Sequence, residues 1–183
     1  MNRPRAVFLD RDGTLMEDTN YCGDPGLVRI YPGVSRALRQ IKEAGYLVFI
    51  VTNQSGIGRG LITEAQYESV QAELLRQLGP GLIDATFYSP DPPDVPSTRR
   101  KPAPGMVLEA AAQYDLDLPD SYLIGDKAAD IECARRAGTR SILVLTGYGE
   151  QQTECRPDYR AKDLVEAAQL ILGSPAVRNA PWK

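Results

Sequence analysis

Residues 6–15 read Ala-Val-Phe-Leu-Asp-Arg-Asp-Gly-Thr-Leu, an apolar run that ends in two aspartates one residue apart. A continuous apolar run bounded by polar and glycine positions predicts a strand buried on both faces. Side chains alternate along a strand, so Asp10 and Asp12 are expected on one side with Arg11 pointing away. Two carboxylates so placed repel each other unless a divalent cation or a shared proton neutralises them. Gly13 lets the backbone turn sharply, and Thr14 supplies a hydroxyl to tie the loop down. An acidic surface turn is the plainer reading, but the pair sits directly on an apolar strand and not in a polar stretch. An EF-hand calcium loop needs glycine at its sixth position, where counting from Asp10 places Leu15.

The same grammar repeats along the chain. Pro32-Gly33 leads into a helix over Val34–Ala44, with Val34, Leu38 and Ile41 on one face, and Gly45 ends it. Tyr46–Val51 is a second apolar strand, ending in Thr52-Asn53-Gln54-Ser55. Gly56, Gly58 and Gly60 predict a mobile loop, and Thr63 with Gln66 has capping-box spacing for a helix to Leu78. Ala85–Tyr88 is a third strand. From Ser89 to Pro104 six prolines exclude helix and predict a stiff surface excursion that passes through Arg99-Arg100-Lys101.

A helix over Met106–Tyr114 precedes a fourth strand, Tyr122–Ile124, which stops at Gly125-Asp126-Lys127. Ala128–Ala137 is a helix, Ser141–Leu145 a fifth strand and 163–172 the last helix. Residues 174–183 are expected as a poorly ordered tail behind a single domain over 1–173. Strands alternating with helices predict an α/β, Rossmann-like domain, a parallel sheet with helices on both faces. Ligands in such sheets bind beyond the carboxyl ends of the strands. That rule gathers Asp10, Asp12, Thr52, Asn53, Asp126 and Lys101 into one crevice.

With 183 residues the chain is long enough for one well-buried core. A net charge of -3 argues against a nucleic-acid surface. No apolar run approaches the roughly 20 residues of a membrane span, and no signal-peptide core precedes the first strand. Cys22, Cys133 and Cys155 are odd in number and widely spaced, which fits reduced thiols in a cytoplasm. A monomer working on a small metabolite, with neither nucleic acid nor membrane as partner, is the expectation. Histidine is absent, so the chemistry falls to carboxylates, lysine, hydroxyls or a hard cation.

Three carboxylates, Asp10, Asp12 and Asp126, suit Mg2+ with room left for a substrate phosphate. Lys101 adds positive charge, while Thr52 and the amides after it add hydrogen-bond donors. Each has an ordinary reading when taken alone: Lys101 solvated, Thr52 a strand-end cap, Asp126 a helix cap before Ala128. Converging at strand ends, they suit phosphoryl transfer.

Four segments carry a family resemblance. Phe8–Thr14, Val51–Gly56, Arg100-Lys-Pro-Ala-Pro-Gly-Met106 and Gly125-Asp-Lys-Ala-Ala-Asp130 resemble the four motifs of the haloacid dehalogenase superfamily. They are most similar to its branch of heptose 1,7-bisphosphate and histidinol-phosphate phosphatases, and the Asn-Gln-Ser-Gly-Ile-Gly-Arg-Gly run at 53–60 is the more specific part. The resemblance implies Asp10 as nucleophile and Asp12 as acid and base. It also implies Mg2+ on Asp10, the backbone carbonyl of Asp12 and Asp126, with Thr52 and Lys101 holding the transferred phosphoryl group. Substrate contacts are implied for Asp18, Thr19, Asn20 and Tyr21, for Asn53, Gln54 and Ser55, and for Arg100 and Lys127, with Arg59 placed to meet a second phosphate. Asp130 would orient Lys127 or metal-bound water, or else sit on the helix surface.

Relatives in this branch carry a zinc loop before the Arg-Lys-Pro motif, but residues 88–100 here contain neither Cys nor His, so no zinc is expected. The gaps between motifs are too short for a large cap domain. The implied substrate is a small phosphorylated metabolite, a heptose bisphosphate before histidinol phosphate or another phosphomonoester. A phospho-accepting switch domain is the reading of another class; receiver domains place the acceptor aspartate after the third strand.

Overall fold

Six strands pair side by side, all parallel, in one sheet: β1 (Ala6–Leu9), β2 (Leu47–Asn53), β3 (Ala85–Ser89), β4 (Tyr122–Gly125), β5 (Arg140–Val144) and β6 (Tyr159–Ala161). The structure, a computed structural model, describes residues 3–173, and the expected tail at 174–183 lies outside the described residues. Every residue of β1 is fully buried, as its unbroken apolar sequence requires.

Strand alternation sorts the core into two layers. Val7, Leu9, Val48, Ile50, Ile124 and Ile142 pack with α1 (Val34–Glu43), with Val70, Leu74 and Leu78 of a longer helix, and with the last helix. A short turn of helix, α2 (Ser55–Gly58), precedes that longer helix, α3 (Glu64–Leu78). On the opposite face Ala6, Phe8, Phe49, Val51 and Leu123 pack against α4 (Gly105–Tyr114) and α5 (Ala128–Ala137). The last helix is α6 (Leu164–Ile171). The rings of Phe8 and Phe49 stack at 5.4 Å, and Phe49 meets Tyr114 at 4.8 Å, tying α4 to the sheet centre.

The strand order is β3-β2-β1-β4-β5-β6. The chain winds outward from β1 to β3, then returns past β1 to begin β4, so the strand order reverses between β1 and β4. A crevice opens beyond the carboxyl ends of the two strands at such a reversal. The register pairs Leu9 with Ile124, and Asp10 N donates to Ile124 O (2.9 Å), so Asp10 and Asp126 leave adjacent strands at the same level. This order is not the 2-1-3-4-5 of receiver-like sheets, which counts against the switch-domain reading.

Three differences from the sequence reading have local causes. The strand β6 has only three residues and an arginine at its centre, too little pattern to announce itself. The loop expected to be mobile at 56–60 contains α2. Gly58 there lies so close to Pro90 that a Cβ would sit 2.5 Å from the proline carbonyl oxygen, which makes it a packing glycine. The strand β1 stops at Leu9, so strand alternation does not extend through Asp12. The predicted capping box is present: Thr63 Oγ accepts from Gln66 N (3.2 Å) and Gln66 Oε1 from Thr63 N (2.8 Å). No helix among the described residues is long and apolar enough to cross a membrane.

Candidate active site

Lys101 is buried at the floor of the crevice, and its Nζ reaches Asp10 Oδ1 at 2.9 Å, Asp130 Oδ1 at 2.6 Å and Val51 O at 2.8 Å. All three ammonium protons are thereby used. Its backbone is clamped by Asn53, which donates from Nδ2 to Lys101 O (3.0 Å) and accepts from Lys101 N (2.9 Å). The end of β2 thus positions a lysine that comes from the far end of the proline-rich loop. Burial alone would raise the Asp10 carboxyl, but Lys101, Lys127 and the backbone N–H of Arg11 outweigh it and hold Asp10 below its ordinary value. Burial likewise works to discharge Lys101, and Asp10 and Asp130 reverse that and raise it. The pairing leaves an ionised carboxylate at the head of the cleft.

Asp130 is fully buried, not on the helix surface, and it serves Lys101 in preference to the side chain of Lys127. Its Oδ2 accepts from Lys127 N (3.0 Å) at the start of α5. Gly125 makes room for it, since a Cβ there would lie 2.3 Å from Asp130 Oδ2. Asp126 is equally buried; its Oδ2 accepts from Tyr148 N (2.8 Å), whereas its Oδ1 has no partner. Gly13, at φ +88, leaves the space that Asp126 occupies, because a Cβ would fall 2.3 Å from Asp126 Oδ2.

Asp12 stands apart from this cluster. Arg11 does not point away but folds back, donating from Nε to Asp12 Oδ2 (3.0 Å) and from Nη2 to Asp12 Oδ1 (3.1 Å). The guanidinium is wholly buried, 5.4 Å above the Tyr67 ring. A buried cation needs a partner, and that requirement overrides the expected alternation. Gln54 completes the arrangement: its Nε2 donates to Asp12 Oδ2 and to Thr52 Oγ (both 2.9 Å), and its Oε1 accepts from Arg11 Nη2 (3.1 Å). Gln54 and Asn53 therefore position other site residues, a task that their expected role as substrate contacts did not include.

Over these groups lies a cleft of about 300 Å3, lined among others by Asp10, Asp12, Asp18, Asn20, Tyr21, Ser55, Arg100 and Lys127. Thr52, Asp126, Thr19 and Arg59 are not among its lining residues. Lys127 Nζ pairs with Asp18 Oδ2 at 3.1 Å and lies 4.9 Å from the centre of the Tyr148 ring. Asn20 and Tyr21 follow with φ of +53 and +51, two consecutive left-handed residues at the cleft mouth. Arg59 Nη1 donates to Tyr21 Oη (2.6 Å), so it braces the cleft from outside.

One oxygen from each of Asp10, Asp126 and Asp130 lies within 4.8 Å of the others. Asp130 is already committed to Lys101 and the Lys127 amide, which leaves the orphaned Asp126 Oδ1 and Asp10 to face a cation. With Asp12's carboxylate held by Arg11 and Gln54, only its backbone carbonyl could join them. This oxygen set fits Mg2+.

Without a metal, burial first and then Asp10 and Asp130 push the Asp126 carboxyl up to about 7 from the ordinary 3.8. A group raised on folding binds its extra proton only in the folded state. Its contribution, on the order of 4 kcal/mol, is complete below about pH 3.8 and is lost as pH rises through about 7. Mg2+ competes with that proton. The gain in Tm on adding MgCl2 is therefore expected to be small near about pH 5 and large near about pH 8, and equal gains at both would contradict this placement of the cation.

Comparison with known proteins identifies the family. The family described as HAD-hydrolase-like matches residues 98–167. The D-glycero-D-manno-heptose-1,7-bisphosphate 7-phosphatase of Thermosynechococcus vestitus is 38% identical, covering 93% of this chain and 96% of its own. That of Chlorobaculum tepidum is 35% identical over 98% of this chain and 100% of its own. The crystal structure of D,D-heptose 1,7-bisphosphate phosphatase from B. bronchiseptica, complexed with magnesium and phosphate, superposes with a TM-score of 0.86 at 32% identity, covering 92% of this chain and 98% of that one. The chain belongs to the haloacid dehalogenase superfamily of phosphatases, in the same family as these heptose bisphosphate phosphatases.

Proposed function

We propose that the chain is a Mg2+-dependent phosphomonoesterase that removes the C7 phosphate of D-glycero-D-manno-heptose 1,7-bisphosphate by transient phosphorylation of Asp10. The observation that carries the reading is the buried Asp10 carboxylate, kept ionised by Lys101 beside the unpartnered Asp126 Oδ1. An Asp10 oxygen attacks phosphorus, the bond to the sugar oxygen breaks, and Asp12 gives that oxygen a proton. Water then attacks the aspartyl-phosphate, Asp12 takes its proton, and Asp10 and inorganic phosphate are released.

Asp10, Asp126 and the Asp12 carbonyl would hold Mg2+, which would offset the repulsion between carboxylate and phosphate dianion. As Asp10 becomes an ester its charge passes to the phosphoryl oxygens, and Lys101 exchanges its bond to Asp10 for one of them. Thr52 Oγ, already accepting from Gln54, has its own proton to donate to another. Arg11 and Gln54 hold Asp12 in its ionised form, the form left once it has protonated the leaving oxygen, and Asp12 releases them when it carries the proton taken from water into the next turnover. Arg100 and Lys127 at the cleft mouth suit the second phosphate of a bisphosphate.

Zinc is no part of this reading, because residues 88–100 supply neither Cys nor His as ligands. Stoichiometric zinc in the purified protein would overturn that part. The unpaired Cys22, Cys133 and Cys155 fit a reducing compartment such as the cytoplasm.

Mg2+-dependent phosphate release from heptose 1,7-bisphosphate, histidinol phosphate and an aryl phosphate tests the assignment. The bisphosphate is expected to give the highest kcat/KM. If it is no better than the aryl phosphate, the substrate falls and the chemistry stands.

A further inference from the structure

The proline-rich loop has a polar centre that the mechanism does not use. Asp91 Oδ2 accepts from Ser89 Oγ (2.9 Å) and from Ser97 Oγ (2.5 Å). Ser97 Oγ in turn accepts from the backbone N–H of Arg99 (3.1 Å) and of Arg100 (2.9 Å), while Arg100 Nη1 donates to Asp91 O (3.0 Å). Ser89 is fully buried at the end of β3, and its carbonyl accepts from Gln54 N (2.7 Å), which anchors the arrangement to the sheet. Ser97 Oγ thus fixes the backbone of Arg100, a cleft-lining residue, and the Asp91 carbonyl holds its guanidinium, while the Asp91 carboxylate ties both Ser hydroxyls to the same turn.

We propose that Asp91 and Ser97 are positioning residues for substrate recognition: they aim Arg100 at the part of the substrate remote from the reacting phosphorus. The proposal rests on the phosphatase reading above. Lys101, the next residue, is held independently by Asn53, Asp10 and Asp130. Loss of the Ser97 hydroxyl therefore reaches Arg100 and spares the nucleophile. A hydroxyl that donates to a carboxylate while accepting two amides leaves all three groups short of a partner when it is deleted.

The test is a double-substitution cycle on the full chain with heptose 1,7-bisphosphate. Ser97→Ala is expected to raise KM about 10-fold with kcat within about twofold, and Ser97→Thr, which keeps the hydroxyl, to restore KM to within about twofold of wild type. In an Arg100→Ala background, Ser97→Ala is expected to add nothing. An equal further rise in KM there would overturn the proposal, as would a fall in kcat in place of the rise in KM. Amide hydrogen exchange supplies a readout that needs no activity: Ser97→Ala should unprotect the Arg99 and Arg100 amides and leave Lys101 protected, and unchanged protection at 99 and 100 would likewise overturn it. If the wild type hydrolyses no phosphate ester, the phosphatase reading and the recognition role both fall, and exchange then reports only on how the loop is held.

Discussion

Replacing Asp10 by Asn is expected to lower kcat on the order of 10^4-fold or more and leave the fold in place. The amide has nearly the shape of the carboxylate but lacks the charge and nucleophilicity that form the ester. Its neighbourhood tolerates the change. Lys101 keeps Asp130 at 2.6 Å and Val51 O at 2.8 Å, so it is not left buried and unpaired. Asp126 meanwhile loses one of the two carboxylates that raise it. The variant gives up the stability that the ionised Asp10 draws from Lys101, offset in part by the relief at Asp126, so the metal-free variant should melt within a few degrees of wild type. Steady-state phosphate release and a thermal melt, taken together, separate lost chemistry from lost structure. Activity within about tenfold of wild type would exclude Asp10 as the nucleophile.

Lys101→Met is expected to affect both activity and stability. Removing the ammonium leaves Asp10 and Asp130 buried side by side without their cation, a defect worth about 3–5 kcal/mol. For a domain of this size that lowers Tm by about 10 °C. Asp10 would then take up a proton and stop attacking phosphorus, because burial, the largest influence on it, already works in that direction. A diagnostic sign accompanies the loss. Protonating the orphaned carboxylates relieves their repulsion, so lowering the pH from about 8 to about 5.5 should narrow the gap in Tm between variant and wild type. A gap that widens on acidification would mean that Lys101 does not stabilise these two carboxylates.

The sheet and its helices were legible because the strands are apolar without interruption and the helix ends are marked. The expected bounds of α5 match the structure, and Gly138 caps it in the left-handed conformation. The core of the site was legible for the same reason: strand ends in a parallel sheet meet on one side, and Asp10, Thr52 and Asp126 each follow or close a strand. What the sequence reading missed depends on which side chains pair once the strands are in place. Arg11 turns toward Asp12 because β1 ends a residue before Asp10 and a buried guanidinium needs a carboxylate. Nothing in the spacing announced that reversal.

Asp130 did leave a signal. It shares a helical stripe with Ala134 and Ala137, both buried, so a carboxylate there had to face inward and find a cation. Asn53 and Gln54 were expected as substrate contacts because they lie in a motif beside the cleft. Both line the cleft, and their amides also meet the Lys101 backbone and the Asp12 carboxylate, contacts with residues 48 and 42 positions away that no local pattern encodes. The proline-rich loop could be read as stiff, but its Asp91 and Ser97 centre depends on the chain folding back over six residues.

The central claim is that Asp10 carries the phosphoryl group. Rapid acid quench of the enzyme turning over heptose 1,7-bisphosphate with Mg2+, followed by peptide mass spectrometry, tests it most directly. A phosphoryl increment on the peptide containing Asp10, absent from the Asp10→Asn variant, is the predicted result. An active enzyme that shows no such adduct at any quench time, or shows it on another residue, would contradict the account.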